Sequence, residues 1–191
     1  VRRNQGRQGA REGPKAWRKA LANMPYDPKV QRPIFDLGDI ICEDDNLEAA
    51  QQNLGEAVAW VLGQGAFPFV CGGGHELAWG LHQGIDKQSL NKSLAIINLD
   101  AHYDLRPLLP GGLGSSGTSF TQIANLEEQR GHPFHYACVG LQPLSNARDL
   151  HRRSEELGVL VVNAEEIEKA SSKLQEYIRG KDKVLLSICL D

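Results

Sequence analysis

What this 191-residue chain lacks narrows its class before any motif is read. No apolar run approaches the ~20 residues that a membrane-spanning helix requires, and no signal-like opening with an apolar core and cleavage site is present. Repeats, low-complexity tracts and linkers are missing too. An excess of one charge is also lacking. The 21 Lys and Arg against 24 Asp and Glu leave a formal charge of −3, which gives no electrostatic case for nucleic acid or an anionic membrane surface. The basic start, "VRRNQGRQGAREGPKAWRK", reads as a loop leading into a helix, with a nucleic-acid arm as the alternative. Cysteine is scarce, and Cys42, Cys71, Cys138 and Cys189 lie far apart, mostly in apolar runs. That pattern suits reduced thiols of a cytoplasmic protein better than a disulfide framework. Trp17, Trp60 and Trp79 read as core or helix-packing residues, without the basic neighbours of a base-stacking surface.

What is present describes one α/β domain. With 41% hydrophobic and 24% charged residues, the composition is that of an ordinary globular protein with a sizeable core. Six short apolar runs predict strands at 32–40, 66–72, 93–99, 135–141, 158–163 and 183–190. Several are almost continuously hydrophobic, as strands buried on both faces are. Between them lie helical patterns. Gly13-Pro14 opens the first, Asp45 with Glu48 starts another as a capping box, and Asn163 with Glu166 repeats that signal. Alternating β and α elements imply a parallel sheet with helices on both faces. The chain starts without Met and stops at Asp191, at the end of the run "VLLSICL". A single domain over 1–191 is therefore expected, as a fragment lacking its first strand and its C-terminal part.

In open parallel sheets, sites lie beyond the carboxyl ends of strands. Three predicted strands here finish on metal-competent side chains: "CGGGHE" places His75, "NLDAHYD" places Asp100, His102 and Asp104, and "SICLD" ends on Asp191. Singly, each has an ordinary reading as a turn, cap or packing residue. The D-x-H-x-D spacing is more specific, because alternate residues of extended backbone project to one face. Three adjacent polar groups at a sheet end need burial partners, and a cation supplies one. Carboxylate and imidazole together suit Mn2+, Fe2+ or Zn2+, with the carboxylate-rich mixture leaning toward Mn2+. The other histidines read as ordinary: His132 and His135 in a turn, His82 and His151 on solvated helix faces.

The blocks "GGGH" (72–75), "DAHYD" (100–104) and "SICLD" (187–191) resemble the signatures of the ureohydrolase family, which includes arginase, agmatinase and formimidoylglutamase. "FDLGD" (35–39) and "RNQGRQGAREGP" (3–14) are similar to that family as well. The resemblance implies a three-layer arginase-like fold with a binuclear Mn2+ cluster at the carboxyl edge of the sheet. By position, His75 and Asp104 would bind one ion, His102 and Asp191 the other, and Asp100 would bridge them. A hydroxide held through Asp100 and His102 would then attack a guanidine or amidine carbon. Cys189 stands where the family carries a second bridging Asp. It is either a thiolate ligand or a packing residue. Ser116 replaces a His found in arginases and agmatinases, and "SSGT" with "DLRP" resembles the formimidoylglutamases. Their substrate, N-formimidoyl-L-glutamate, is a dicarboxylate, so Arg106, Arg3 and Arg7 are candidate partners. The expected reaction yields L-glutamate and formamide, a step in histidine degradation. Guanidine hydrolysis releasing urea, or a non-catalytic relative with an impaired metal site, remain the alternatives, and a homo-oligomer is left open.

Overall fold

Four of the six apolar runs form one parallel sheet: β1 (Leu94–Leu99), β2 (Tyr136–Leu141), β3 (Leu160–Asn163) and β4 (Lys183–Ile188). This computed structural model describes residues 8–25, 29, 33–88 and 92–190. The spatial order is β3-β2-β1-β4. Six helices accompany the sheet: α1 (Gly13–Leu21), α2 (Leu47–Gly63), α3 (Leu77–Lys87), α4 (Ser119–Arg130), α5 (Arg148–Glu156) and α6 (Ala170–Tyr177). Among the described residues, no helix is long and apolar enough to cross a membrane.

The period-2 alternation of each strand sends apolar side chains to both faces. On one face Ile96, Tyr136, Cys138 and Leu185 pack with Val58 of α2, Ala78 and Ile85 of α3, and Phe120 and Ile123 of α4. On the other, Ile97, Ala137, Val139 and Val162 meet Ala170, Leu174 and Tyr177 of α6. Crossovers through α4 and α5 carry the chain outward from β1 to β3, and α6 returns it to β4 on the far side of β1. The topology therefore reverses between β1 and β4, and the crevice beyond their carboxyl ends is where such sheets place ligands.

Two predicted strands are corrected. Residues 33–42 and 66–72 take up no strand, because a strand needs a neighbour for its N–H and C=O groups and none lies beside them among the described residues. Phe67 and Phe69 are accordingly exposed, Phe69 against Trp17. The 35–39 motif is held by ions instead. Arg18 of α1 grips Asp36 at 2.6 and 2.9 Å and Asp39 at 2.9 and 3.0 Å. With the added Gly38 N–H bond, this brings the Asp36 carboxyl down to about 2.

Further details also depart from the sequence expectation. Asp45 adopts a left-handed φ of 57°, so the cap of α2 falls to Asn46, whose Oδ1 accepts from the Ala49 N–H at 3.1 Å. Glu48 accepts from the Gly114 N–H at 3.3 Å and so ties α2 to the segment before α4. Asn163 makes no side-chain cap; residues 164–169 form a 3-10 turn before α6. Trp17, Trp60 and Cys42 are exposed, and His82 is 2% exposed rather than solvated. Helical periodicity does not say that α3 lies between α2 and α4.

Candidate metal centre

The carboxyl end of β1 is fastened at successive backbone groups. Asp100 stays in the ladder through its N–H to the Val139 carbonyl at 2.9 Å. Its Oδ1 then accepts from the His102 N–H at 2.8 Å, which bends the chain out of the sheet. Gly140, at φ 90°, makes a bulge between Val139 and Leu141, and beyond it the Gln142 N–H reaches the Ala101 carbonyl at 3.1 Å. Asn146 fixes both sides of His102: its Oδ1 accepts from the Tyr103 N–H at 3.1 Å and its Nδ2 donates to the Ala101 carbonyl at 2.9 Å. Asp104 is then left-handed at φ 47°, a region uncommon for a residue with a Cβ and frequent at functional sites.

These constraints bring the side chains together. His75 Nδ1 lies 2.6 Å from Asp104 Oδ2 and 3.2 Å from Asp100 Oδ2, with His75 6% and Asp100 1% exposed at the side chain. None of these approaches has hydrogen-bond geometry, and Nδ1 is a buried nitrogen without a hydrogen-bond partner. Single donor atoms of His75, Asp100 and Cys189 all fall within 4.8 Å of one another. His102 Nδ1 sits 3.5 Å from Asp100 Oδ1, on the more open side of the cluster.

The electrostatics describe a pocket in want of a cation. Burial alone lowers the affinity of His75 for a proton. The Asp100 and Asp104 carboxylates and Cys189 outweigh it and push the imidazole up to about 12. Burial would likewise raise Asp100, but His75, the His102 N–H and Asn98 hold it below its ordinary value. Carboxylates crowded around an orphaned imidazole nitrogen at non-hydrogen-bonding angles are placed as ligands of a shared ion are. The residues present fit a divalent metal.

A second layer escaped the sequence reading. Register pairs Asn98 with Cys138 on one side and Ser187 on the other, a polar row one pleat before the ligands. The Asn98 amide donates to Asp100 Oδ2 at 3.0 Å and to the Tyr136 hydroxyl at 3.1 Å, and that hydroxyl donates to the Tyr103 carbonyl at 2.9 Å. Ser187 Oγ lies 2.6 Å from His75 Nε2, which fixes the ring and leaves Nδ1 facing the acids. The signal was available: Asn98 precedes Asp100 by two, and Ser187 precedes Cys189 by two.

The remaining candidates divide. Arg106 donates its N–H to the Gly117 carbonyl at 2.9 Å, and its side chain covers Gly117 so closely that a Cβ there would lie 2.8 Å from Arg106 Cδ. This places Arg106 beside Ser116, two residues from Asp104. Arg3, Arg7 and Asp191 lie outside the described residues.

The cluster of metal-competent side chains thus sits at the switch point of a parallel α/β sheet, and comparison with known proteins gives the family. The model of the Arginase family matches residues 2–191, and the chain belongs to that family. It is 42% identical over 201 residues to a formimidoylglutamase of Ralstonia nicotianae and 45% identical over 200 residues to one of Cupriavidus pinatubonensis. All of this chain is covered, but only 60% and 62% of those proteins, so it spans about three-fifths of the curated relatives' length. Among solved structures, a Mn2+-bound variant of Trypanosoma cruzi formiminoglutamase superposes with a TM-score of 0.83 at 28% identity, covering 97% of this chain and 64% of that one. Arginase from Bacillus subtilis gives 0.78 at 27%, covering 97% and 70%.

Proposed function

We propose that this chain carries the metal centre of a formimidoylglutamase, an enzyme that hydrolyses N-formimidoyl-L-glutamate to L-glutamate and formamide in histidine degradation. The observation that carries the reading is the convergence of Asp100 and Asp104 on the orphaned Nδ1 of His75. The curated relatives that share about two residues in five support the substrate. Mn2+, the ion of the solved Trypanosoma cruzi relative, is one the centre would accept, held by His75, Asp100, His102 and Asp104, with Cys189 and Asp191 completing the set. Bound there, it lowers the pKa of water so that a nucleophile exists at neutral pH, which a charge-delocalised amidine carbon requires.

The chain's own residues do the positioning. Asn98 and the His102 N–H orient the two oxygens of Asp100, and Ser187 holds the ring of His75 through Nε2. Arg106 presents a planar cation for a substrate carboxylate, with Ser116 beside it. The four cysteines, none of them in a disulfide, support a cytoplasmic setting. We further propose that the 191 residues are the larger part of one longer domain. The face of β4 opposite the core supports this, since Val184, Leu186 and Ile188 are 46, 53 and 58% exposed, where a parallel sheet is ordinarily covered.

Assay of this chain and of a longer one, each supplied with Mn2+ and with N-formimidoyl-L-glutamate, agmatine or arginine, tests the reading. Formamide and glutamate are expected, with greater turnover by the longer chain. Urea release from a guanidine substrate, with no formamide, would replace it with guanidine hydrolysis.

A further inference from the structure

We propose that Cys189 coordinates the ion through its thiolate and biases this centre from Mn2+ toward a thiophilic ion such as Zn2+, Co2+ or Fe2+. This rests on the metal-site reading above but not on the identity of the substrate.

The geometry separates Cys189 from the other thiols. It follows β4 directly and stays in the ladder through its N–H to the Leu99 carbonyl at 2.9 Å. Alternation along the strand then puts its side chain on the face of Leu185 and Ser187, the face on which Ser187 meets His75. Its sulfur comes within 4.8 Å of donor atoms of both His75 and Asp100. Cys138, by contrast, is fully buried, with Sγ turned to the carbonyls of His102 at 3.3 Å and Asp100 at 3.9 Å. Burial keeps that thiol protonated. Cys42 is exposed and Cys71 half-buried, and neither contributes a donor atom to the cluster.

Coordination requires that the Cys189 thiol release its proton to solvent as the metal–sulfur bond forms; no electron is transferred. The resulting nitrogen, oxygen and sulfur donor set is softer than one of imidazole and carboxylates, and Mn2+ gains least from sulfur. A single sulfur also replaces the two oxygens with which a carboxylate can span two ions.

Zn2+ outcompetes Mn2+ at nearly any site of nitrogen, oxygen and sulfur donors, so the ratio of the two affinities decides nothing by itself. The change in that ratio on removing the sulfur does. The experiment loads the metal-free protein with Co2+, Zn2+ or Mn2+ and needs no turnover. The Co2+ form is expected to show a thiolate-to-cobalt charge-transfer band in the near ultraviolet, lost in Cys189→Ser. The Zn2+ form is expected to show a sulfur neighbour at about 2.3 Å by X-ray absorption. In Cys189→Asp the preference for Zn2+ over Mn2+ should fall by about tenfold or more, the size typical of a changed ligand environment. Metal bound without the band and without the sulfur neighbour would overturn the inference and leave the hydrolase reading standing. No binding of any of the three ions would overturn both. The band and the absorption spectrum are read on the unaltered chain, so a variant that fails to fold does not cloud the result.

Discussion

His75 and His82 make an instructive pair, one at each end of the same sheet. Both rings are almost wholly buried, and both have an Nδ1 without a hydrogen-bond partner. His75 sits where β1 and β4 end, among Asp100, Asp104 and Cys189, and is pushed up to about 12. His82 lines a cavity of about 250 Å3 near the strand starts, stacked on Trp79, and burial brings it down to about 4. The nearest acid, Glu127, is 3.9 Å from its Nε2 and is engaged by Arg130 and His132. Burial, helped by Arg130 and only partly opposed by Asp86, thus yields a neutral packing ring. Acids converging on the ring reverse that effect and give an equally buried imidazole the setting of a candidate ligand.

The widest gap between the two should appear on removing each ring. His75→Ala is expected to weaken divalent-ion binding by more than about a hundredfold, beyond the 10–100-fold typical of losing a supporting partner. His82→Phe should leave it unchanged. Calorimetric titration with Mn2+ or Zn2+ reads both, and equal losses would dissolve the distinction.

The contrast was partly legible in sequence. Asp100, His102 and Asp104 stood out because alternate polar residues at a buried strand end have few ordinary uses, and four strands were plain from their apolar runs. His82 was misread because its helical spacing could not show that both flanks of α3 are covered. The runs at 32–40 and 66–72 carry β-rich residues, but composition supplies no neighbouring strand. Asn98 and Ser187 were passed over as parts of apolar runs, although each lies on the same strand face as the ligand two residues on.

A second, somewhat smaller effect concerns acid stability. The unfolded chain protonates His82 near its ordinary 6.5, whereas the folded chain resists until about 4. The unfolded state therefore binds more protons in that window, and stability falls as pH drops from about 6.5 to 4. The loss from this residue is on the order of 3 kcal/mol. Urea midpoints at pH 7 and 4.5 should differ less in His82→Phe than in the unaltered chain, and an identical difference would refute the assignment. His75 acts in the opposite direction. In the metal-free chain its bound proton stabilises the fold fully below about 6.5, and this is lost as pH climbs toward 12.

The smallest effect tests the support of the ligand ring. Ser187→Ala removes the partner of His75 Nε2 and should weaken the ion by about tenfold while the metal-free urea midpoint barely moves. Loss of stability without loss of affinity would make Ser187 a packing residue only.

The proposed ligands come from a loop before α3, from the end of β1 and from the end of β4, segments far apart along the chain. An ion gripped by all three would behave as a removable staple across the sequence, joining the edge strand β4 to the inner strand β1. Among the described residues β4, like β3, is paired on one side alone, and edge strands fray more readily than inner ones. Metal occupancy and the closure of that edge are then one equilibrium. Chelation should loosen the sheet from β4 inward, and whatever steadies β4 should slow the escape of the ion.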